Sequence, residues 1–230
     1  ADYAGPLPCL VIMAMMGAPR EDLARLKRDS DEMALFIGSA HASADKYGIA
    51  QAATHRMAGY FRHLIAARRA RPENDLLSEL VHLRDGEDRL NDDELIGTCI
   101  LLLFAGHETT TNLIANGMLS LARFPEEQRR LRADPSLTNV AVEELLRYDG
   151  PVGAQARIVT RSHEMRGKVL KAGERVFIML NAANRDHEAY TDADTLRLDR
   201  DGVPHLAFGF GAHICLGFPL ARMEGQVAFP

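Results

Sequence analysis

The chain has 230 residues, of which 47% are hydrophobic, 26% charged and 6% aromatic, a composition typical of soluble globular proteins. Its 27 Lys and Arg residues are outnumbered by 32 Asp and Glu residues, which gives a formal net charge of -5. We therefore expect no nucleic-acid partner, because there is no positive excess to neutralise phosphates. Three scattered cysteines, Cys9, Cys99 and Cys215, exclude a disulfide framework and a four-cysteine zinc site, and they predict a cytoplasmic protein.

Two apolar stretches raise the question of a membrane segment. Residues 9–16 follow no Lys or Arg, unlike the apolar part of a signal peptide, and are too short to cross a bilayer. Residues 96–122 are long enough, but their middle contains His107, Glu108 and Asn112, which are costly in hydrocarbon. We therefore expect no membrane association and interpret residues 96–122 as a helix buried in a protein core.

Apolar residues at helical spacing, separated by Asp, Gly and Pro, predict helices up to about residue 148. Residues 52–70 form an amphipathic helix that ends before Pro72. Charged residues on such a helix usually contact water, so we expect its arginines to face solvent. These are Arg56, Arg62, Arg68 and Arg69.

A strong helix start lies at Asn91. Its side chain can cap the first turn, while Glu94 can reach back to its backbone N–H. The helix that begins here could run to about Phe124, with Pro125 starting the next one. At about 1.5 Å per residue this helix would be roughly 50 Å long. Another short helix is predicted over residues 141–148.

The pattern changes after residue 150. Residues 156–160, 168–170 and 175–180 are β-branched or alternating and are separated by glycines, which predicts strands that include a hairpin. The expected fold class is therefore mainly α with a small β-sheet. We divide the chain into a helical region, residues 1–148, and a strand-rich region, residues 149–230.

The loop over residues 208–217 carries the clearest chemical signal. Gly209 and Gly211 allow tight turns, and Cys215 lies just before a helix predicted over residues 218–228, whose amides can stabilise a thiolate. A single thiolate suits a metal whose other ligands come from a cofactor, and haem iron is one candidate. Two alternatives remain: a small buried hydrophobic residue, or a nucleophile with His213 as its base.

A second signal lies in the middle of the long predicted helix, over residues 105–110. Small residues precede Glu108 and Thr109 there, and a hydroxyl in mid-helix often bonds back to a carbonyl of the preceding turn. An acid beside an alcohol in an apolar wall can relay protons. The alternative is a buried glutamate whose charge is satisfied by an Arg or Lys elsewhere.

A third signal is the pair Glu144 and Arg147, which lie three residues apart and so share a helix face. Taken alone, such a pair is usually a surface contact with little effect on stability.

Together the three segments resemble one family, the haem-thiolate cytochromes P450, and in particular its soluble bacterial monooxygenases. Residues 208–217 match the family pattern F-G-x-G-x-H-x-C-x-G at every fixed position. Residues 105–110 match its oxygen-activating helix, and Glu144-x-x-Arg147 matches its charged core pair. The resemblance covers nearly the whole chain and corresponds to the central and C-terminal part of the family fold. We therefore expect a cytochrome P450 fold that is incomplete at its N-terminus.

The resemblance implies that the cofactor is haem b, iron protoporphyrin IX, and that Cys215 is the ligand of its metal. Phe208 would shield the sulfur and the ring, while His213 and Arg157 would hydrogen-bond the propionates. Further haem contacts are implied for small residues of the loop and the helix. These are Gly209, Gly211, Gly217, Ala105 and Gly106.

The catalytic residues implied by the resemblance are Thr109 and Glu108, which would steer protons to dioxygen. Ala105 and Gly106 would also leave room for oxygen and substrate. Lining of the substrate pocket is implied for Val152 and Gly153.

A structural role is implied for Glu144 and Arg147, joined by a third arginine. Arg200 is the expected partner and Arg185 the alternative.

The implied activity is dioxygen-dependent hydroxylation of a small apolar substrate. The electrons would come from NAD(P)H through a reductase and a ferredoxin or flavodoxin. The alternative is a haem-binding or structural fragment without turnover of its own.

Overall fold

The computed structural model describes residues 3–37, 45–83, 90–200, 202 and 204–229. Helices in this part of the chain are α1 (Pro6–Met15), α2 (Leu23–Ile37), α3 (Lys46–Ala70), α4 (Leu76–His82), α5 (Asp92–Arg123), α6 (Pro125–Ala133), α7 (Thr138–Asp149), α8 (Leu180–Ala183) and α9 (Phe218–Ala228). Strands are β1 (Gln155–Ile158), β2 (His163–Met165), β3 (Lys168–Leu170) and β4 (Arg175–Ile178). Contacts divide the chain into two units, Ala1–Thr111 and Asn112–Pro230, with the division inside α5.

The first unit is helical, and α2 packs against α3 within it. Its core takes apolar side chains from each of its helices; among them are Met13, Leu26, Phe61, Leu77 and Leu95. The helix predicted over residues 52–70 is the main part of α3, which begins earlier because Asp45 caps it by accepting from the N–H of Gly48.

The expectation that the arginines of α3 face solvent is wrong for Arg68. This side chain is buried, donating from Nε to Asp75 at 2.5 Å and from Nη2 to the Gly17 carbonyl at 2.8 Å. Its partners lie outside α3, one before it in the sequence and one after it, so helical periodicity could not reveal them. Arg62 is exposed as expected.

The long helix α5 begins as predicted. The Asn91 side chain accepts from the N–H groups of Asp93 and Glu94, each at 3.0 Å, and the Glu94 carboxylate accepts from the Asn91 N–H at 2.8 Å. The helix ends at Arg123, and α6 follows from Pro125. Burial is one-sided within the described part of the chain: Cys99 is buried, whereas Leu101 is 61% exposed.

None of the described helices combines the length and the apolar character that spanning a bilayer requires.

In the second unit α7 packs against α9, with Val142, Leu145 and Phe229 in its core. The strands form two antiparallel pairs. Gln155 of β1 lies opposite Ile178 of β4, and His163 of β2 lies opposite Leu170 of β3.

Two details of the strands differ from the sequence prediction. The strand β2 was not predicted, because its residues are polar or exposed. Its pairing depends instead on a two-residue turn at Arg166 and Gly167, both with positive φ, of the kind that favours hairpins. The predicted strands over 156–160 and 175–180 also end sooner, and Leu180 begins α8.

Candidate functional site

The loop over residues 208–217, called the cysteine loop below, is closed by three backbone hydrogen bonds. The N–H of Cys215 donates to the Phe208 carbonyl at 2.9 Å, that of Gly209 to the Leu206 carbonyl at 2.9 Å, and that of Ile214 to the Gly211 carbonyl at 3.1 Å. Gly209 and Gly211 have φ of 73° and 81°, in the left-handed region that glycine adopts at little cost. The two glycines thus permit the turns that bring Cys215 back to Phe208.

Cys215 is exposed, unlike Cys9 and Cys99. It therefore does not fill the core, and the interpretation of this residue as a small buried hydrophobic residue is wrong. His213 lies in a short 3₁₀ turn, Gly211–His213, and within the described residues no hydrogen bond joins it to Cys215. The nucleophile alternative thus gains no support from the geometry. The interpretation that remains is a thiol accessible to a ligand. It lies just before α9, whose N-cap residue is Gly217.

Phe208 is held against the start of α9. Its ring centroid lies 6.1 Å from that of Phe218, and the Arg222 guanidinium lies 4.9 Å from the centroid of Phe208. The position predicted to shield the sulfur is therefore fixed by aromatic and cation–π contacts. Beside it, Phe210 and Leu216 are 88% and 87% exposed, so the loop presents apolar side chains around Cys215.

The start of β1 adjoins this loop. A Cβ at Gly209 would lie 3.9 Å from Gln155 Nε2 and 3.8 Å from the His213 carbonyl oxygen. Arg157 donates to the Gln155 side chain at 2.9 Å. The structure thus links Arg157 to the loop through Gln155, and both predicted propionate donors, Arg157 and His213, are exposed.

In α5 the Thr109 hydroxyl donates to the Ala105 carbonyl at 2.8 Å, the backward bond expected from the sequence. The helix continues without a break through this turn. Gly106 has a packing role as well, because a Cβ there would lie only 3.0 Å from Cγ1 of Ile12 in α1. Its small size therefore allows α1 to approach α5.

Glu108 lies in a polar group that includes α2. Its carboxylate, that of Asp31 and a ring nitrogen of His107 lie within 4.8 Å of one another. His107 Nδ1 is 3.3 Å from the Ser30 hydroxyl, and Lys27 pairs with Asp31 at 2.6 Å. Burial lowers the pKa of His107, although the Asp31 carboxylate opposes this. Glu108 therefore lies among charged neighbours and not in a purely apolar wall.

The pair Glu144 and Arg147 is buried, so its interpretation as a surface contact is wrong. Arg147 donates to the two carboxylate oxygens at 2.7 and 2.8 Å and to the carbonyl of Ala193 at 2.9 Å. Arg200 Nε lies 3.1 Å from both oxygens, which confirms Arg200 as the third member. Arg185 instead donates to the Tyr148 carbonyl.

Glu143, His205 and Arg222 form a second charged cluster, which the sequence does not reveal. Glu143 pairs with Arg222 at 2.6 Å and with His205 at 3.1 Å. These partners are 79 and 62 residues away in the chain, so no local pattern could have identified them.

A family model described as cytochrome P450 matches residues 41–230. The chain belongs to the cytochrome P450 family. This confirms the resemblance drawn from the three motifs, and members of the family carry a haem cofactor.

The individual relatives that the chain matches are also cytochromes P450. Cytochrome P450 109 of Bacillus spizizenii is 41% identical over 233 residues, covering 99% of this chain and 56% of that protein. Cytochrome P450 monooxygenase PikC of Streptomyces venezuelae is 42% identical over 227 residues, covering 98% and 53%. The structure of P450BioI in complex with an acyl carrier protein ligated to hexadec-9Z-enoic acid has a TM-score of 0.93 at 39% identity, covering 99% and 58%.

These comparisons confirm a mainly helical cytochrome P450 fold. They also show that the chain spans little more than half the length of these relatives.

Proposed function

We propose that this chain is the haem-thiolate part of a bacterial cytoplasmic P450 monooxygenase that hydroxylates a small apolar substrate with dioxygen. Electrons would reach it from NAD(P)H through a reductase and a ferredoxin or flavodoxin. The observation that carries the proposal is the exposed thiol of Cys215 on a closed loop that matches the family's haem-binding pattern at every fixed position.

The residues of the loop fit a haem b group. Cys215 offers a soft anionic ligand of the type that haem iron accepts. A Cβ at Gly211 or Gly217 would meet nothing within 4 Å, so open space lies over these positions, and exposed apolar side chains flank the thiol. Arg157 and His213 are exposed donors suited to carboxylates such as the propionates.

The haem, when bound, supplies the redox chemistry that activates dioxygen. Cys215 would hold the iron, and Phe208 would exclude water from the sulfur. Ala105, without a bulky side chain, would leave space for substrate.

Thr109 would manage protons, the role that the family resemblance implies for this residue. Its hydroxyl donates to the Ala105 carbonyl and keeps lone pairs that can accept a further hydrogen bond. Glu108, whose neighbours in α2 are charged, would be the acid that supplies protons to this hydroxyl.

The second candidate is a haem-binding or structural fragment without independent turnover. The coverage supports this candidate, because the chain covers 56% of P450 109 and the remaining 44% of that relative is not matched.

The experiment is the absorption spectrum of the reduced, carbon monoxide-bound protein. The wild-type chain should show the red-shifted band of thiolate-ligated haem, and Cys215→Ser should lose it, because serine is a poor ligand for haem iron. Cys99→Ser is the matched control and should keep the band. A red-shifted band that survives Cys215→Ser would overturn the proposal. A wild-type chain that shows the red-shifted band but oxidises no substrate would instead select the second candidate.

A further inference from the structure

Glu143 of α7 connects the segment before the cysteine loop with the segment after it. One carboxylate oxygen accepts from Arg222 Nε at 2.6 Å, and the other accepts from Arg222 Nη2 at 2.8 Å, a bidentate pair. The second oxygen also lies 3.1 Å from His205 Nε2. A single carboxylate thus binds one residue that precedes Phe208 and one that follows Cys215 in the sequence.

The hydrogen bonds of His205 define its tautomer. The N–H of Ala207 donates to His205 Nδ1 at 3.2 Å, so Nδ1 is the acceptor. In a neutral imidazole the proton must then be on Nε2, where it points to Glu143. The ring is therefore fixed at both nitrogens, and its centroid lies 5.7 Å from that of Phe208.

Arg222 is fixed by Glu143 in a position that covers two aromatic rings. Its guanidinium lies 4.9 Å from the centroid of Phe208 and 5.1 Å from that of Phe218. Such cation–π contacts require the guanidinium to be held in place, because arginine otherwise samples many rotamers.

Glu143 stays ionised in this setting. Burial alone would raise its pKa, but hydrogen bonds from His205 and Arg222 outweigh burial and lower the pKa of Glu143 to about 2. Its charge is therefore available to both partners at neutral pH.

We propose that Glu143 is a positioning residue for Cys215: it anchors Arg222 and His205, these fix Phe208, and the Phe208 carbonyl fixes the N–H of Cys215. The last contact is the 2.9 Å hydrogen bond that closes the loop. The inference rests on the proposed function, in which Cys215 ligates haem iron. Glu143 acts through these residues, His205 and Arg222 being its described side-chain partners.

The test compares Glu143→Ala and Glu143→Gln with a matched control, Glu127→Gln. The Glu127 side chain is 14% exposed, against 40% for that of Glu143, and it likewise holds a distant backbone N–H, that of Leu198 at 2.9 Å, and pairs with an arginine, Arg130. Among the described contacts it has none with Phe208 or Arg222. Glu143→Gln keeps an acceptor oxygen, so it provides a variant that folds if Glu143→Ala does not.

The first readout is hydrogen–deuterium exchange of residues 208–217 in the haem-free chain. Glu143→Ala should increase exchange there by about tenfold or more, because hydrogen bonds to a charged group are lost. Glu143→Gln should give a smaller increase, and Glu127→Gln none. An unchanged loop, or an equal increase throughout the second unit, would overturn the positioning role.

The second readout is the haem-loaded protein. Glu143→Ala should convert part of the red-shifted carbon monoxide band to the band of haem without a thiolate ligand, and the haem reduction potential should shift. Glu127→Gln should change neither property. If exchange rises as expected but Cys215→Ser keeps the red-shifted band, the proposed function fails while Glu143 still positions the loop. If exchange rises but the spectrum and the potential of Glu143→Ala match the wild type, Glu143 has no effect on the ligand and the inference fails.

Discussion

Cys215 differs from the other two cysteines in its exposure to solvent. Burial raises the pKa of Cys9 and of Cys99 to about 11, so near pH 8 only about one in a thousand of these thiols is ionised. We predict that Ellman's reagent titrates a single thiol rapidly in the folded, haem-free chain and none in Cys215→Ser. Rapid reaction of a second thiol in the native protein would show that the core around Cys9 or Cys99 opens.

Haem should protect the same thiol, since a sulfur bound to iron cannot attack the reagent. Ellman's reagent reports the reactivity of the Cys215 thiol, whereas the absorption spectrum reports whether its sulfur ligates iron.

Thr109 provides a second prediction for a single residue. In the proposed function its hydroxyl handles protons, and within the described residues it donates to the Ala105 carbonyl at 2.8 Å. We therefore predict that Thr109→Ala raises the peroxide formed per NAD(P)H consumed, by about threefold or more, with little change in substrate binding. The measurement uses the haem-loaded protein reconstituted with a reductase and a ferredoxin.

The matched control is Thr98→Ala. Thr98 lies on the same helix and makes the same backward bond, to the Glu94 carbonyl at 2.8 Å, but it lies near the start of α5. An equal effect of the two substitutions would mean that Thr109 acts through the helix and not through proton delivery.

At the scale of the secondary-structure elements, Arg68 connects three helices through its hydrogen bonds. From α3 it binds Asp75, the N-cap of α4, and the Gly17 carbonyl just after α1. Arg68→Met would leave Asp75 buried without its cation, which we predict costs about 3 kcal/mol of unfolding free energy. Arg62→Met, an exposed change on the same helix, should stay within about 0.5 kcal/mol. Urea unfolding at neutral pH measures both.

The pH dependence of this loss has a defined sign. Burial raises the pKa of Asp75, but hydrogen bonds from Arg68 and Ser78 outweigh it, so the pKa lies below its ordinary value of 3.8. A carboxyl with a lowered pKa in the folded state stabilises the protein above its unfolded pKa, and this contribution disappears as the pH falls. The difference between wild type and Arg68→Met should therefore be constant from pH 7 to about 5 and shrink below about 3.8.

The elements that the sequence predicted well are those with a local signal. The start of α5 depends on Asn91 and Glu94, and the start of α9 on the loop before it, so short-range patterns suffice. The burial of Arg68 and the Glu143 cluster depend on contacts between distant segments. Charge patterning on one helix cannot show such contacts, because it gives the face of a charge but not what packs against it.

For the whole molecule, binding of haem should increase the free energy of unfolding. A ligand that binds only the folded state stabilises it by about 2.7 kcal/mol at a hundred times its dissociation constant. In a chain of this size that corresponds to roughly 5–10 °C in Tm. The haem-free chain is the starting state for this measurement.

We predict that haem raises Tm by this amount in the wild type and by clearly less in Cys215→Ser, because the variant lacks the thiolate that would form the iron–sulfur bond. Iron-free protoporphyrin IX separates that bond from apolar adsorption onto side chains such as Phe210 and Leu216, which are exposed in the second unit. It should stabilise both proteins weakly and equally. A shift with protoporphyrin as large as that with haem would mean that the exposed apolar surface, and not Cys215, holds the cofactor.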